Sequence, residues 1–289
     1  MTTNFNFTRF TNLLKLDIAE NWKNSLFGLL GIYAAFLIPM LGWLWNVPDD
    51  TFGAYSFHRF CNNMLGVILL VTSFFFVFYA SHIMVCMNSK EKRISYLLLP
   101  ATMFEKFLSR FVIVTVVLMF QVFVALLALE LSRYLLQPLF RLPAEFSQSM
   151  LAELADMMTF AGRASVNNEC VYYNTTLMQL LGFIFLLWNH SLFILGGSRW
   201  YKHPFLKTLG VIIAFNLIGG VIFARLVETG MMERFFRWMS ENFEETSATV
   251  NGLITAGILF FASLTIFNWW LSYWLFTRSQ VIRRKWFRV

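Results

Sequence analysis

Residues 111–131 read FVIVTVVLMFQVFVALLALEL, a run in which almost every side chain is apolar. About 20 apolar residues in a helix span the hydrocarbon core of a bilayer, which is about 30 Å thick. Five further runs of this kind follow the same rule: 26–45, 64–87, 177–196, 208–224 and 253–276. Because the runs are continuously apolar and do not alternate, they predict helices and not barrel strands. The sequence therefore predicts an all-α integral membrane protein with about six transmembrane helices.

The composition favours the same class of protein. Apolar residues make up 58% of the 289 residues and charged residues only 13%, whereas soluble proteins carry about 25% charged residues. The net charge of +7 does not indicate nucleic-acid binding, because Lys and Arg are spread over several segments outside the spans. Placing the N-terminus in the cytoplasm puts most of them on the cytoplasmic side, as the positive-inside rule requires. Both termini are therefore expected in the cytoplasm.

The N-terminal segment, residues 1–23, has the pattern of an amphipathic helix. Its large apolar side chains recur at helical spacing, and they are Phe7, Phe10, Leu14, Ile18 and Trp22. We expect this helix to lie on the cytoplasmic membrane surface. A helix packed on other protein would show the same pattern.

The rest of the chain divides at the ends of the spans. Residues 24–276 are expected to form the transmembrane domain, and residues 277–289 a basic cytoplasmic tail that suits anionic lipid headgroups. A cytoplasmic loop is expected at 88–106 and a long outer loop at 132–176. Apolar periodicity predicts amphipathic helices outside the membrane at 144–158 and 231–243.

No residue pattern on this chain indicates catalysis. The sequence contains no HExxH, GxSxG or CxxC, so neither a catalytic residue nor a metal site is predicted. A GxxxxGK[ST] phosphate-binding loop is also missing from the sequence. We therefore expect that the chain is not an enzyme and carries no cofactor. Active transport would need an ion gradient or a partner chain as its source of energy.

Polar residues within the spans are neutral and suit two roles. They could hydrogen-bond between helices, or line a translocation path. The candidates are Gln121, Asn189, His190, Asn216 and Asn268.

Two cysteines, Cys61 and Cys170, fall just beyond the outer ends of spans. They are a candidate disulfide, but free thiols are favoured because a disulfide requires close and specific geometry.

The cytoplasmic loop after the second span carries the most specific pattern. It reads NSKEKRISYLLLPATMFEK over residues 88–106. An acidic residue, basic residues, a small hydroxyl residue, two leucines, a proline and a later lysine follow one another. They are Glu91, Arg93, Ser95, Leu97, Leu98, Pro100 and Lys106. This order resembles the cytoplasmic loop of type-two ATP-binding-cassette (ABC) transporter permeases, in which a short coupling helix docks on the ATPase subunit.

The resemblance implies further properties. The chain would be the permease subunit of a bacterial exporter in the inner membrane, with six spans and both termini inside. Its partners would be a separate ABC ATPase, which binds ATP and Mg²⁺, and a second permease copy in a homo- or heterodimer. The alternative is a membrane scaffold or assembly factor without transport activity, which the neutral, aromatic-rich spans also suit.

Overall fold

The computed structural model describes residues 5–46, 54–140, 142, 144–158, 162–166, 169–242 and 247–278. Ten α-helices and one β-hairpin make up most of these residues. The helices are α1 (Phe7–Asn46), α2 (Ala54–Ser81), α3 (Lys90–Leu98), α4 (Met103–Val112), α5 (Leu118–Leu136), α6 (Met150–Met158), α7 (Thr175–Arg199), α8 (Pro204–Glu228), α9 (Met231–Asn242) and α10 (Ser247–Thr277). A π-helical turn, Ile113–Val117, joins α4 to α5.

Six helical segments in the described part of the chain are long and apolar enough to cross a membrane. They are Phe7–Trp45, Phe57–Met87, Met103–Leu136, Thr175–Arg199, Pro204–Glu228 and Ala248–Thr277. The predicted number of spans is therefore confirmed by length and composition. This agrees with a multi-pass membrane protein.

Helix α1 is continuous from Phe7 to Asn46. At about 1.5 Å per residue it is about 60 Å long, so no break separates the predicted surface helix from the first span. The buried face of its first turns comprises Phe10, Leu13 and Asp17. Most of the expected apolar stripe points elsewhere, since Phe7, Ile18 and Trp22 are exposed. The buried face packs on protein, and the exposed apolar residues on the other faces are left for lipid.

The loop after α5 contains both expected and unexpected structure. A 3₁₀ turn, Ala144–Ser147, precedes α6, and the apolar face formed by Phe146, Met150 and Leu154 is buried. An antiparallel hairpin follows, in which β1 (Gly162–Val166) pairs with β2 (Glu169–Tyr173). The sequence did not predict this hairpin, which adds two short strands to the all-α plan.

The chain forms two compact units. The first contains the described residues up to Met158 and from Tyr273 onwards, and the second is Thr159–Ser272. In the first unit, α1 packs on α2, α4 and α5, and α2 packs on α6. In the second unit, α7 packs on α8, and α8 on α9. The predicted basic tail lies outside the described residues apart from Thr277 and Arg278.

Candidate functional site

The loop 88–106 is built around helix α3, whose ends are set by local sequence. Ser89 caps the N-terminus, because its hydroxyl accepts a hydrogen bond from the Lys92 N–H at 3.2 Å. Glu91 in the first turn suits the positive end of the helix dipole. Leu99 is extended, as expected for a residue before Pro100, and this ends the helix.

Helix α3 presents an apolar tip. The side chain of Leu98 is 73% exposed, while Tyr96 is buried beneath the helix. Glu91, Lys92 and Ser95 are exposed on the same short helix. The exposed surface of α3 therefore combines charged residues near its N-terminus with one prominent apolar residue at its C-terminus.

Helix α4 begins three residues after Pro100, at Met103, and its N-terminus carries a complete capping box. The Thr102 hydroxyl accepts from the Glu105 N–H at 3.2 Å, and the Glu105 carboxylate accepts from the Thr102 N–H at 2.8 Å. The same fully buried carboxylate also accepts from the Asn6 N–H at 2.8 Å and from Arg9 at 2.9 Å. Glu105 therefore fastens the start of α4 to the segment that begins α1.

A second buried ion pair links α4 to α1. Arg110 Nη2 lies 2.8 Å from Asp17 Oδ1, and the two side chains are only 7% and 2% exposed. The Ser109 hydroxyl donates to the other Asp17 oxygen at 2.7 Å. The Arg110 guanidinium also lies over the ring of Tyr96, 5.0 Å from its centroid. The pair thus reaches from α1 through α4 to α3.

Two hydrogen bonds between α3 and α4 complete this connection. The Tyr96 hydroxyl donates to the Lys106 carbonyl at 2.9 Å, and Lys106 Nζ donates to the Leu97 carbonyl at 2.8 Å. Burial raises the pKa of the Tyr96 phenol, so its hydroxyl stays a donor. Buried polar groups therefore join three helices. We call these groups the α1–α3–α4 network, which consists of Arg9, Asp17, Tyr96, Glu105, Lys106 and Arg110.

The predicted loop residues divide between the network and the surface. Leu97 and Lys106 belong to the contacts between α3 and α4. Glu91, Ser95, Leu98 and Pro100 are exposed, and Arg93 is half-buried.

Grooves lie on both sides of α3. One, of about 570 Å³, is lined by Asp17, Glu20, Glu91, Lys92 and Arg110 among others. The other, of about 800 Å³, is lined mainly by apolar side chains beside Arg9 and Lys106.

A second polar cluster closes the far end of α5. Arg133 is fully buried and pairs with Glu130 at 3.0 Å. Its guanidinium donates to the Phe146 and Gln148 carbonyls, while Glu130 accepts from the Met150 N–H at 2.9 Å. The pair therefore holds the chain that leads into α6.

The predicted polar residues of the spans do not form one path. Gln121 donates to the Ser25 carbonyl at 3.0 Å and so joins α5 to α1. Asn268 donates to the Ser191 hydroxyl at 2.9 Å, which joins α10 to α7 in the second unit, where His190 is fully buried.

Asn189 and Asn216 bond to carbonyls of their own helices. Cys61 is a free, buried cysteine of α2, and Cys170 lies on β2 with a side chain outside the described part. The candidate disulfide between Cys61 and Cys170 is therefore not formed in this structure.

Sequence reasoning missed most of the α1–α3–α4 network and the Glu130–Arg133 pair. Asp17, Arg110, Glu130 and Arg133 lie at the ends of apolar runs, where charges usually face water. Only the capping box had a readable signal, the Thr102-x-x-Glu105 spacing before an apolar run.

No protein-family model, curated protein or solved structure matched the chain. The family resemblance therefore rests on residues 88–106 and on the six-span plan.

Proposed function

We propose that the chain is the membrane-spanning permease subunit of an ATP-driven ABC exporter. In this proposal helix α3 docks on a separate ATPase subunit that carries ATP and Mg²⁺. The protein resides in a bacterial inner membrane with both termini in the cytoplasm. A second permease copy completes the transporter.

The observation that carries the proposal is the α1–α3–α4 network. A docking helix can drive transport only if its displacement reaches the spans. Here Tyr96 and Lys106 bind α3 to α4, and the Asp17–Arg110 pair binds α4 to α1. Breaking a buried ion pair by removing one partner costs about 3–5 kcal/mol. A force on α3 therefore moves two spans together and does not simply bend the loop.

The surface of α3 suits the docking role. Leu98 offers an apolar contact that a partner can bury, and the charged residues on the same helix can fix the orientation of that partner.

The exposed surface of helix α8 supports the proposal of a second permease copy. None of its most apolar stretch is buried within the chain, so that face is available to lipid or to another permease.

A scaffold without transport activity is the second candidate. The observation that favours it is the lack of charge in two spans, since residues 175–198 and 248–277 contain no Asp, Glu, Lys or Arg. Many coupled transporters keep such a residue on the substrate path. A scaffold needs only packing surfaces.

The test compares two leucines that are equally exposed. Leu98 and Leu139 are both 73% exposed, but Leu139 follows α5 and lies far along the chain from α3. The tagged full-length protein is purified from its native membrane, and co-purified ATP hydrolysis is measured. We expect hydrolysis with the wild type and with Leu139→Asp, and its loss with Leu98→Asp.

Two results contradict the exporter. One is a wild-type preparation that contains no ATPase. The other is Leu98→Asp retaining as much ATPase as Leu139→Asp. Either result, with intact protein in the membrane, favours the scaffold.

A further inference from the structure

The larger groove beside α3 has two chemically different sides. Its apolar side includes Phe5, Phe104 and Tyr273, whose rings form a row with centroids 6.0 Å apart at each step. Its polar side includes Arg9 and Lys106. We call this space, of about 800 Å³, the Lys106 groove. Its volume lies within the usual range for small-molecule sites.

Among the described residues around the groove, one buried cation has a carboxylate nearby but no ion pair of its own. Arg9 pairs with Glu105, and both oxygens of that carboxylate already accept backbone or side-chain N–H groups. Lys106 is only 2% exposed, yet no carboxylate in the described part of the chain forms an ion pair with it. Its ammonium has three donors, and among the residues that the structure describes it donates one hydrogen bond, to the Leu97 carbonyl. A buried cation with spare donors calls for an anion.

The third spanning segment indicates how deep in the membrane the groove lies. Residues 111–129 carry no Asp, Glu, Lys or Arg. At about 1.5 Å per residue they extend about 28 Å, which matches the hydrocarbon core of about 30 Å. Lys106 precedes this stretch by about 7 Å along the helix. The headgroup layer on each side of the core is about 5–8 Å thick, so Lys106 falls at headgroup depth.

We propose that the Lys106 groove binds an anionic phospholipid. The phosphate accepts hydrogen bonds from Lys106 beside Arg9, and an acyl chain lies along the row of Phe5, Phe104 and Tyr273. The chain's own C-terminal tail is an unsuitable occupant, because its charged residues are all basic: Arg283, Arg284, Lys285 and Arg288. The proposal needs only a membrane protein, and it does not depend on the exporter assignment.

Lipid retention tests the proposal directly. The full-length protein is purified in detergent, and binding of phosphatidylglycerol and of phosphatidylcholine is measured by native mass spectrometry. The variant Lys106→Gln removes the charge but keeps a donor for the Leu97 carbonyl. Its control is Lys92→Gln, which removes an exposed lysine that lines the neighbouring groove. A hydrogen bond to a charged group supports an expected loss of about ten-fold for Lys106→Gln and none for Lys92→Gln.

A second variant leaves Lys106 and its hydrogen bond intact. Met103 lines the groove at the first position of α4, where an acidic residue stabilises a helix. Met103→Glu should therefore fold, and should weaken phosphatidylglycerol binding by repulsion. This variant decides the question if Lys106→Gln does not fold.

The remaining measurements identify which anion the groove binds. Preference for phosphatidylglycerol over phosphatidylcholine, with no displacement by inorganic phosphate, supports the proposal. Equal binding of the two lipids overturns it, as does equal retention by Lys106→Gln and Lys92→Gln. If inorganic phosphate displaces phosphatidylglycerol at the same concentration as the lipid, the groove is a plain anion site. If a peptide is bound in the groove, the groove is a docking site for protein. Either outcome also overturns the lipid assignment.

Discussion

Two ion pairs of equal length allow the energetic role of burial to be measured within one chain. Arg110–Asp17 and Arg225–Glu228 both have a nitrogen–oxygen distance of 2.8 Å. The side chains of the first pair are 7% and 2% exposed, and those of the second are 77% and 62% exposed. Only the first pair joins two helices. The difference in cost between breaking the two pairs therefore reports what burial adds.

We expect Arg110→Met and Asp17→Asn each to lower the free energy of unfolding by about 3–5 kcal/mol. Each change leaves the partner charge buried without its counter-ion. The double variant Asp17→Asn/Arg110→Met should lose less than the sum of the two, because no unpaired charge remains, with a coupling energy of about 2 kcal/mol. Arg225→Gln should cost less than about 1 kcal/mol, since its pair is exposed to solvent or headgroups.

The measurement is chemical unfolding of the detergent-solubilised full-length protein, followed by intrinsic fluorescence. The reasoning fails if Arg110→Met costs no more than Arg225→Gln. It also fails if the double variant loses the full sum of the single losses, because the two residues would then act independently.

Three further perturbations probe other contacts. A methyl group at Gly28 would collide with the Tyr79 hydroxyl, so Gly28→Ala should lower the free energy of unfolding by about 1–3 kcal/mol. Adding Tyr79→Phe to this variant should restore part of the loss. The control Gly66→Ala should be tolerated, because the space around Gly66 is open. Arg133→Met frees the Phe146 and Gln148 carbonyls, so hydrogen exchange should accelerate over 146–153, and unchanged protection would contradict the anchoring role. Burial raises the pKa of Tyr96, so its phenol stays neutral in the folded protein at a pH where it ionises in the unfolded chain. The free energy of unfolding should therefore fall as the pH rises above about 10. Tyr96→Phe should reduce that fall, and a pH profile identical to that of the wild type would exclude Tyr96 as its source.

The spans were predictable because bilayer thickness imposes a length and a composition on each of them. Residues 111–131 satisfy both demands without reference to any neighbour. A short helix in the loop 88–106 was expected from the resemblance, and the structure shows that Ser89 and Pro100 mark its ends locally. These features depend on residues close together in sequence.

The network was not predictable for the opposite reason. Asp17 and Arg110 are far apart in the chain, and each alone suits a charge at the end of a span. Their pairing depends on how α1 packs on α4. The protein-facing side of α1 was unpredictable for the same reason, because packing buries Leu13 and Asp17, whereas Ile18 and Trp22 of the expected apolar stripe are exposed. The hairpin near Cys170 gave no clear alternation by which to recognise it.

The π-helical turn at Ile113–Val117 sets the angle between the two charged ends of one long helix. A π turn contains one residue more than an α turn, and each residue advances an α-helix by about 100°. The extra residue therefore resets the azimuth of Glu130 and Arg133 relative to Arg110. A regular α-helix made from the same residues would therefore rotate one end by about a quarter turn, so that Arg110 and Arg133 could no longer both face their partners, whereas deleting one residue within the π turn would keep the two ends near their present azimuths.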